Sequence, residues 1–410
     1  MVKIDINSDF LVEDKLQGLL ALETGEIKDG TTTTYFVKTN NKLYYVEEFI
    51  YDIVTRLKAK ESIESLKNSV NTKFNKEYST SNILQLIEHL KYKLLKPEVN
   101  KSDNIFFKMD LFNPSIFDRI AQQLKFIFGK RWFITLFCMV ITINFIYLFY
   151  LDSRQSFMPI YSLQPLEYFC LLLGCILSLV MHEMGHISAA KFFKVKTGMI
   201  HFGIYYVFPV FFTNLSEIWT ISRKDRLTVN FAGVFFQMII NSFIVGILFF
   251  FNPPINAASI LVHVVKFNFV IVAYNLNPFL KFDGYWILSD LFKIVNLNEA
   301  SSNKIKYFFK YMFSRANREG GTASLKASIF LNIYSVFYFI FLVLASAFSA
   351  YYLFIGLPLL VKYAANLPYV KASDFTVQIV FQIIFRILTL FMLVLIFSRI
   401  IYRNLIITMK

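Results

Sequence analysis

His182-Glu183-Met184-Gly185-His186 places two imidazoles and a carboxylate within five residues. On a helix, side chains four apart share a face, so both histidines can hold one metal ion. Glu183 projects from nearly the same face, within reach of a water on that ion. Zn²⁺ bound by two histidines and a carboxylate, with one position open, lowers the pKa of its water to about 7. A neighbouring carboxylate can take that proton and hand it to a leaving amine. This is the apparatus of a hydrolytic zinc enzyme. Residues 166–180, just ahead of it, are almost wholly apolar apart from Glu167. The chemistry is therefore expected inside or against a bilayer, where ionisable side chains are costly and mark function.

The elements that must position these residues are membrane spans. Of the 410 residues, 56% are hydrophobic and 18% aromatic, including 48 Phe. Mean hydropathy is +0.51. Spans need about 20 apolar residues, and six segments qualify: 132–151, 166–190, 227–251, 257–280, 327–354 and 375–400. Lys191, Lys194, Lys196, Arg223, Lys224 and Arg226 crowd the connection after the second. Lys293, Lys304, Lys306, Lys310, Arg315, Arg318 and Lys326 crowd the one after the fourth. The opposite loops hold Arg154, Lys362 and Lys371. The positive-inside rule then puts both termini in the cytosol and the His pair near the cytosolic face. The net charge of +14 reads as basic loops beside anionic lipid, with no nucleic-acid partner expected. Cys138, Cys170 and Cys175 lie in apolar runs, which excludes a disulfide framework and a CxxC metal pair. The mixed start Met1-Val2-Lys3-Ile4-Asp5 does not read as a signal peptide.

A third ligand is expected at the end of the fourth span, in Asn275-Leu276-Asn277-Pro278-Phe279-Leu280-Lys281-Phe282-Asp283-Gly284. Pro278 breaks the helix and Gly284 permits a turn. Freed backbone at such depth is tolerated only where protein buries it or water lines it. Taken alone, Asp283-Gly284 is a surface turn. Opposite His182 and His186 at matched depth, Asp283 is the missing carboxylate, and Asn275 offers an amide to substrate or to an oxyanion.

HExxH on one span and Asn-x-x-Pro-x-x-x-x-Asp-Gly on a later one resemble the site-2 protease family of intramembrane zinc metalloproteases, over roughly residues 166–290. The resemblance implies His182, His186 and Asp283 as ligands of one zinc ion per chain, Glu183 as general base, and Asn275 as the Asn of the second motif. Asn277 to Trp286 and the basic run Ser222-Arg223-Lys224-Asp225-Arg226 are similar to the bacterial peptide zinc metalloproteases encoded with peptide-maturation and export genes. Val234, in Phe231-Ala232-Gly233-Val234, stands where relatives commonly have Pro, at a position expected to pack a helix start. No PDZ-like insertion is present. Residues 200–213, from Ile200 and His201 through Pro209 to Thr213, are too short to span and too apolar for a free loop. β-Branched and aromatic residues favour extended chain there, and Pro209 excludes a central strand position. The family has a membrane-embedded β element at this place, expected to pair with unwound substrate. His201, His263, Lys266 and Arg386 are assigned no role.

Residues 1–97 read as a separate cytosolic α+β domain. Thr33, Tyr35 and Val37 alternate, as do Leu43 and Tyr45, around an Asn40-Asn41 hairpin signal. Helical patterns follow at 47–57, 62–74 and 81–95. Strands followed by three short helices resemble the winged-helix element that grips leader peptides of ribosomally made, modified peptides. Residues 98–130 read as linker plus an interfacial amphipathic helix over 116–128, and 131–410 as the protease domain. The expected molecule is thus mainly α: a polytopic helix bundle of about six spans with a membrane-embedded β element and a small winged-helix-like domain. Its expected activity is cleavage of a small precursor peptide at the bacterial cytoplasmic membrane, beside a peptide exporter and a modifying enzyme. The rival expectations are cleavage of a membrane-anchored regulator and a non-catalytic transport or immunity subunit.

Overall fold

A computed structural model describes residues 22–29, 32–39, 43–95, 105–110, 114–151, 157–205, 208–294, 296–313 and 325–351, with Leu19, Phe354 and Pro358. The chain packs as two units. The first comprises residues 1–103 and 215–226, the second 104–214 and 227–410.

The first unit opens with three antiparallel strands, β1 (Glu23–Asp29), β2 (Thr32–Lys38) and β3 (Leu43–Val46), in the order β1-β2-β3. Three helices follow: α1 (Glu48–Lys58), α2 (Ile63–Phe74) and α3 (Thr80–Leu95). The β2–β3 ladder closes at Lys38–Leu43, and the Asn40-Asn41 signal lies outside the described residues. One sheet face sends Val37, Tyr44 and Val46 into a core with Ile53, Leu57, Leu66, Ile83 and Ile87. The apolar spacing along the helices produces that core, because residues three and four apart share a face. The other sheet face carries Ile27 and Phe36, both buried. Gly25 leaves room for that ring: a Cβ would lie 2.4 Å from its far end. Segment 215–226 belongs to this same unit. Lys38 binds Glu217 at 2.9 Å, Tyr45 donates to the Trp219 carbonyl at 3.0 Å, and the Arg226 guanidinium lies 4.9 Å from the Trp219 ring centroid. The hydrogen bond to Glu217 is the main reason that the Lys38 amine is held above its ordinary value.

Asp52 on α1 binds Arg56 at 2.8 Å and Lys73 on α2 at 3.0 Å. Burial pushes its carboxyl up, but the two hydrogen bonds and their charges outweigh burial, and the net direction is down. A depressed carboxyl contributes stability that is full above the unfolded value of about 3.9 and is lost as pH falls through the folded value. Asp52→Asn is expected to cost this unit about 1 kcal/mol near neutral pH. Hydrogen exchange of α1 and α2 in the whole chain, followed from pH 7 to pH 3, should show the difference closing in acid.

The second unit begins with a strand. β4 (Ile105–Asp110) lies where linker is expected, and it pairs antiparallel with β5 (Ile200–Tyr205), which pairs with β6 (Phe208–Thr213). These six residues carry no readable period, and their partners lie 91 to 100 residues further along the chain. The order β4-β5-β6 leaves β6 at an edge, as Pro209 requires. After β4 come α4 (Pro114–Leu124) with a 3-10 turn over Lys125–Phe128, α5 (Lys130–Ile146) and α6 (Pro165–Phe192). α4 buries Ala121 and joins α6 through Asp118 and Lys191 at 3.0 Å. Gln164 and Glu167 form a capping box at the start of α6, with Pro165 at its first position, where a missing N–H does no harm. Beyond the hairpin run α7 (Arg223–Phe251), α8 (Ile255–Asn275), α9 (Asp283–Phe292), α10 (Leu297–Phe313) and α11 (Leu325–Tyr351).

Among the described residues, four helices are long and apolar enough to cross a membrane: Trp132–Phe149, which runs from α5 into the turn beyond it, with α6, α7 and α8. Their outer faces expose large apolar side chains, among them Trp132, Phe169, Phe243 and Phe250, each more than 60% exposed. Such faces suit hydrocarbon rather than water. The described apolar stretch of α11, Ile329–Leu344, is shorter. The sixth expected segment lies outside the described residues. α6, α7 and α8 share a core of Leu171, Cys175, Ile244, Val245, Val264 and Val265.

Candidate metal centre

His182, Glu183 and His186 are consecutive members of one helical face of α6, all buried. His186 lies six residues before the end of α6, about 9 Å along the axis at 1.5 Å per residue. α7 meets α6 here with a glycine on each helix. Gly185 packs on the Ala232 carbonyl, 2.3 Å from where a Cβ would sit, and Gly233 faces the two imidazoles. Small residues at a crossing let backbones of membrane helices meet. Val234 lies within α7, fully packed, rather than at a helix start.

Asp283 arrives from another direction. α8 ends at Asn275, the chain turns through Pro278, and α9 begins at Asp283. The turn is clamped on several sides. Asn277 Oδ1 accepts from the Phe279 N–H at 2.8 Å. Asn298 on α10 donates to the Phe279 carbonyl at 3.1 Å, and Tyr334 on α11 donates to the Pro278 carbonyl at 2.8 Å. Gly284 permits the closure, since a Cβ would lie 2.2 Å from the Leu276 carbonyl oxygen.

Three atoms converge. His182 Nε2 and His186 Nε2 are 3.1 Å apart, and Asp283 Oδ2 lies 3.1 Å from the first and 3.4 Å from the second. Ligands at about 2.0–2.1 Å in a tetrahedral zinc site sit about 3.3 Å from one another. The outer nitrogens are both occupied. His186 Nδ1 is 2.7 Å from the Val229 carbonyl, and His182 Nδ1 is 3.0 Å from Gln237 Oε1. The Val229 carbonyl can only accept, so a neutral His186 carries its proton on Nδ1; a neutral His182 that gives its Nδ1 proton to Gln237 Oε1 likewise turns a lone pair inward. Two lone pairs and a buried carboxylate oxygen with no hydrogen bond repel one another unless a cation lies among them. An added Cβ on Gly233 would sit 2.4 Å from His186 Nε2 and 2.6 Å from His182 Nε2, within the same cradle. The donor set fits a zinc ion.

The ligand-capable atoms of His182, Glu183 and His186 lie within 4.8 Å of one another. The Thr213 hydroxyl, at the end of β6, interacts with the Glu183 carboxylate without a well-formed hydrogen bond. Asn275 is placed beside the outer nitrogen of His182, its Nδ2 3.5 Å from Nδ1. His201 on β5 binds Asp110 on β4 at 2.7 Å, and His263 binds the Met158 carbonyl at 2.9 Å. Both tie structure together away from the three converging atoms. Arg386 lies outside the described residues. Sequence reasoning passed over Gln237, Val229 and Thr213. Gln237 carries a signal: it is a polar side chain inside an apolar span, one turn beyond Gly233.

Fold and site together are those of a mainly helical chain whose described residues include four helices apolar enough to cross a membrane and a buried His-Glu-His cluster that could hold a metal ion. Over 134 residues the chain is 31% identical to "Putative peptide zinc metalloprotease protein YydH" of Bacillus subtilis (strain 168). The match covers 32% of this chain and 50% of that protein, so the chain spans about half the length of its curated relative. This distant similarity supports a zinc metalloprotease. No protein-family model matches the chain, and no solved structure does.

Proposed function

We propose that the chain is an intramembrane zinc endopeptidase that cleaves a small precursor peptide. The observation that carries this reading is the convergence of His182 Nε2, His186 Nε2 and Asp283 Oδ2, with both Nδ1 atoms held by acceptors and Glu183 alongside. Zinc in that cradle supplies Lewis acidity and a water of lowered pKa. Glu183 takes the proton of the attacking water and delivers it to the amine nitrogen as the peptide bond breaks. Thr213 brings the end of β6 beside that carboxylate. Asn275 orients His182 or donates to the developing oxyanion. A helical substrate hides its peptide bonds, so an extended segment is held by strand addition at the free edge of β6.

The first unit supports a precursor as substrate. Its order of three strands and three helices leaves β3 at a sheet edge, where an extended leader peptide can add. The setting is the bacterial cytoplasmic membrane with both termini in the cytosol, beside the precursor's exporter and modifying enzyme. Purified chain in detergent, mixed with a leader-bearing precursor and followed by mass spectrometry, should give one defined cut that a zinc chelator abolishes. Intact precursor in every sample would overturn the reading.

A further inference from the structure

Several amides lie buried among the membrane helices, and their bonding differs. Asn144 bridges to the Met238 carbonyl and the Ser242 hydroxyl at 3.0 and 2.9 Å. Asn268 joins Ser178 at 2.5 Å and Asn241 at 2.9 Å. These are interhelical ties of the kind that hold membrane bundles together. Gln237 departs from that pattern in its partner. It is fully buried, and its Oε1 meets not another helix tie but Nδ1 of a histidine whose Nε2 faces Asp283. Its Nε2 finds no partner, as is also true of Asn241 Nδ2, so the acceptor side of the amide is the side with a contact to explain.

We infer that Gln237 is a positioning residue for the metal cradle: its carbonyl oxygen fixes the His182 tautomer that leaves Nε2 free to ligate. This rests on the zinc-site reading of the preceding section. Asn275 Nδ2 lies 3.5 Å from the same Nδ1, so Gln237 Oε1 at 3.0 Å is the nearer contact and the acceptor that keeps the ring proton there; with the opposite Gln237 orientation both neighbours would be donors and the proton would move to Nε2. That proton would then point at Asp283 Oδ2, 3.1 Å away, and His182 could not bind metal. A carbonyl oxygen at this place is therefore a requirement, and the amide nitrogen is dispensable. The role follows from the general rule that a ligating histidine's other nitrogen needs an acceptor, whose loss loosens metal roughly 10–100-fold.

The test compares zinc dissociation from the full-length chain and two variants, by competition with a chromogenic chelator, alongside the visible spectrum of the cobalt-loaded forms. Gln237→Met keeps the volume and removes the acceptor; zinc should bind roughly 10–100-fold more weakly and the cobalt bands should shift. Gln237→Glu keeps an acceptor that has no donor form when ionised; its zinc affinity should match or exceed the wild type. Equal affinity in wild type and Gln237→Met would overturn the inference, as would equal weakening in both variants. If Gln237→Met does not fold, Gln237→Glu decides alone, since weakened binding there contradicts the role. A wild-type chain that binds no zinc at all refutes the metal site itself, an outcome distinct from a wild type that binds and a Met variant that binds as well.

Discussion

Glu183→Gln is expected to retain zinc at the wild-type level and to cleave precursor roughly 100- to 10,000-fold more slowly, the range lost with a general acid–base group. Glu183 lies on the ligand-bearing face of α6, 6% exposed, in the same cluster as both imidazoles. The amide keeps its size and its polar contacts but accepts no proton. The three converging atoms belong to His182, His186 and Asp283, so metal binding should survive the change. Zinc content measured beside initial rates separates the two properties. A Gln variant with wild-type turnover would remove Glu183 from the chemistry, and one lacking metal would make it a ligand.

Gly233→Ala should abolish zinc binding and activity together, through one added methyl group. The new carbon would lie 2.4 Å from His186 Nε2 and 2.6 Å from His182 Nε2, distances that real carbons do not adopt. The helices have little room to part, because Gly185 already rests on the Ala232 carbonyl at the same crossing, so relief falls on the two imidazole tips. Overpacking of this kind costs about 1–3 kcal/mol of stability, and the imidazoles must rotate away from Asp283 to make room. Gly246→Ala on the same helix is the control, with nothing within 4 Å of its added carbon. Bound zinc, read in parallel with thermal unfolding, should fall only in the first variant. A Gly233→Ala chain with full zinc would show that the cradle is wider than the structure has it.

The sequence made some of this legible for a physical reason. The HExxH repeat falls on the helical period, so the shared face of His182 and His186 is fixed locally. Pro278 and Gly284 announce a broken helix, which places Asp283 at the start of α9. The helices of the first unit likewise follow from apolar spacing. Other features depend on partners far away in the chain. β1 reads Glu-Thr-Gly-Glu-Ile-Lys-Asp, nearly all polar, and is a strand through its pairing with β2 along its whole length, with Gly25 opposite Phe36. β4 has no period of its own and is recruited by β5. Gln237 and the Val229 carbonyl matter only once α7 crosses α6 at the histidines, and no spacing within either helix reveals that crossing.

The proposed activity needs a cation held jointly by α6 and α9, and the most direct measurement is the metal content and ligand shell of the intact chain purified without chelators. Elemental analysis should give one zinc per chain, and X-ray absorption a shell of two imidazole nitrogens plus oxygen, with Asp283→Ala losing most of the metal. Metal-free protein, or zinc retained undiminished after Asp283→Ala, would contradict it.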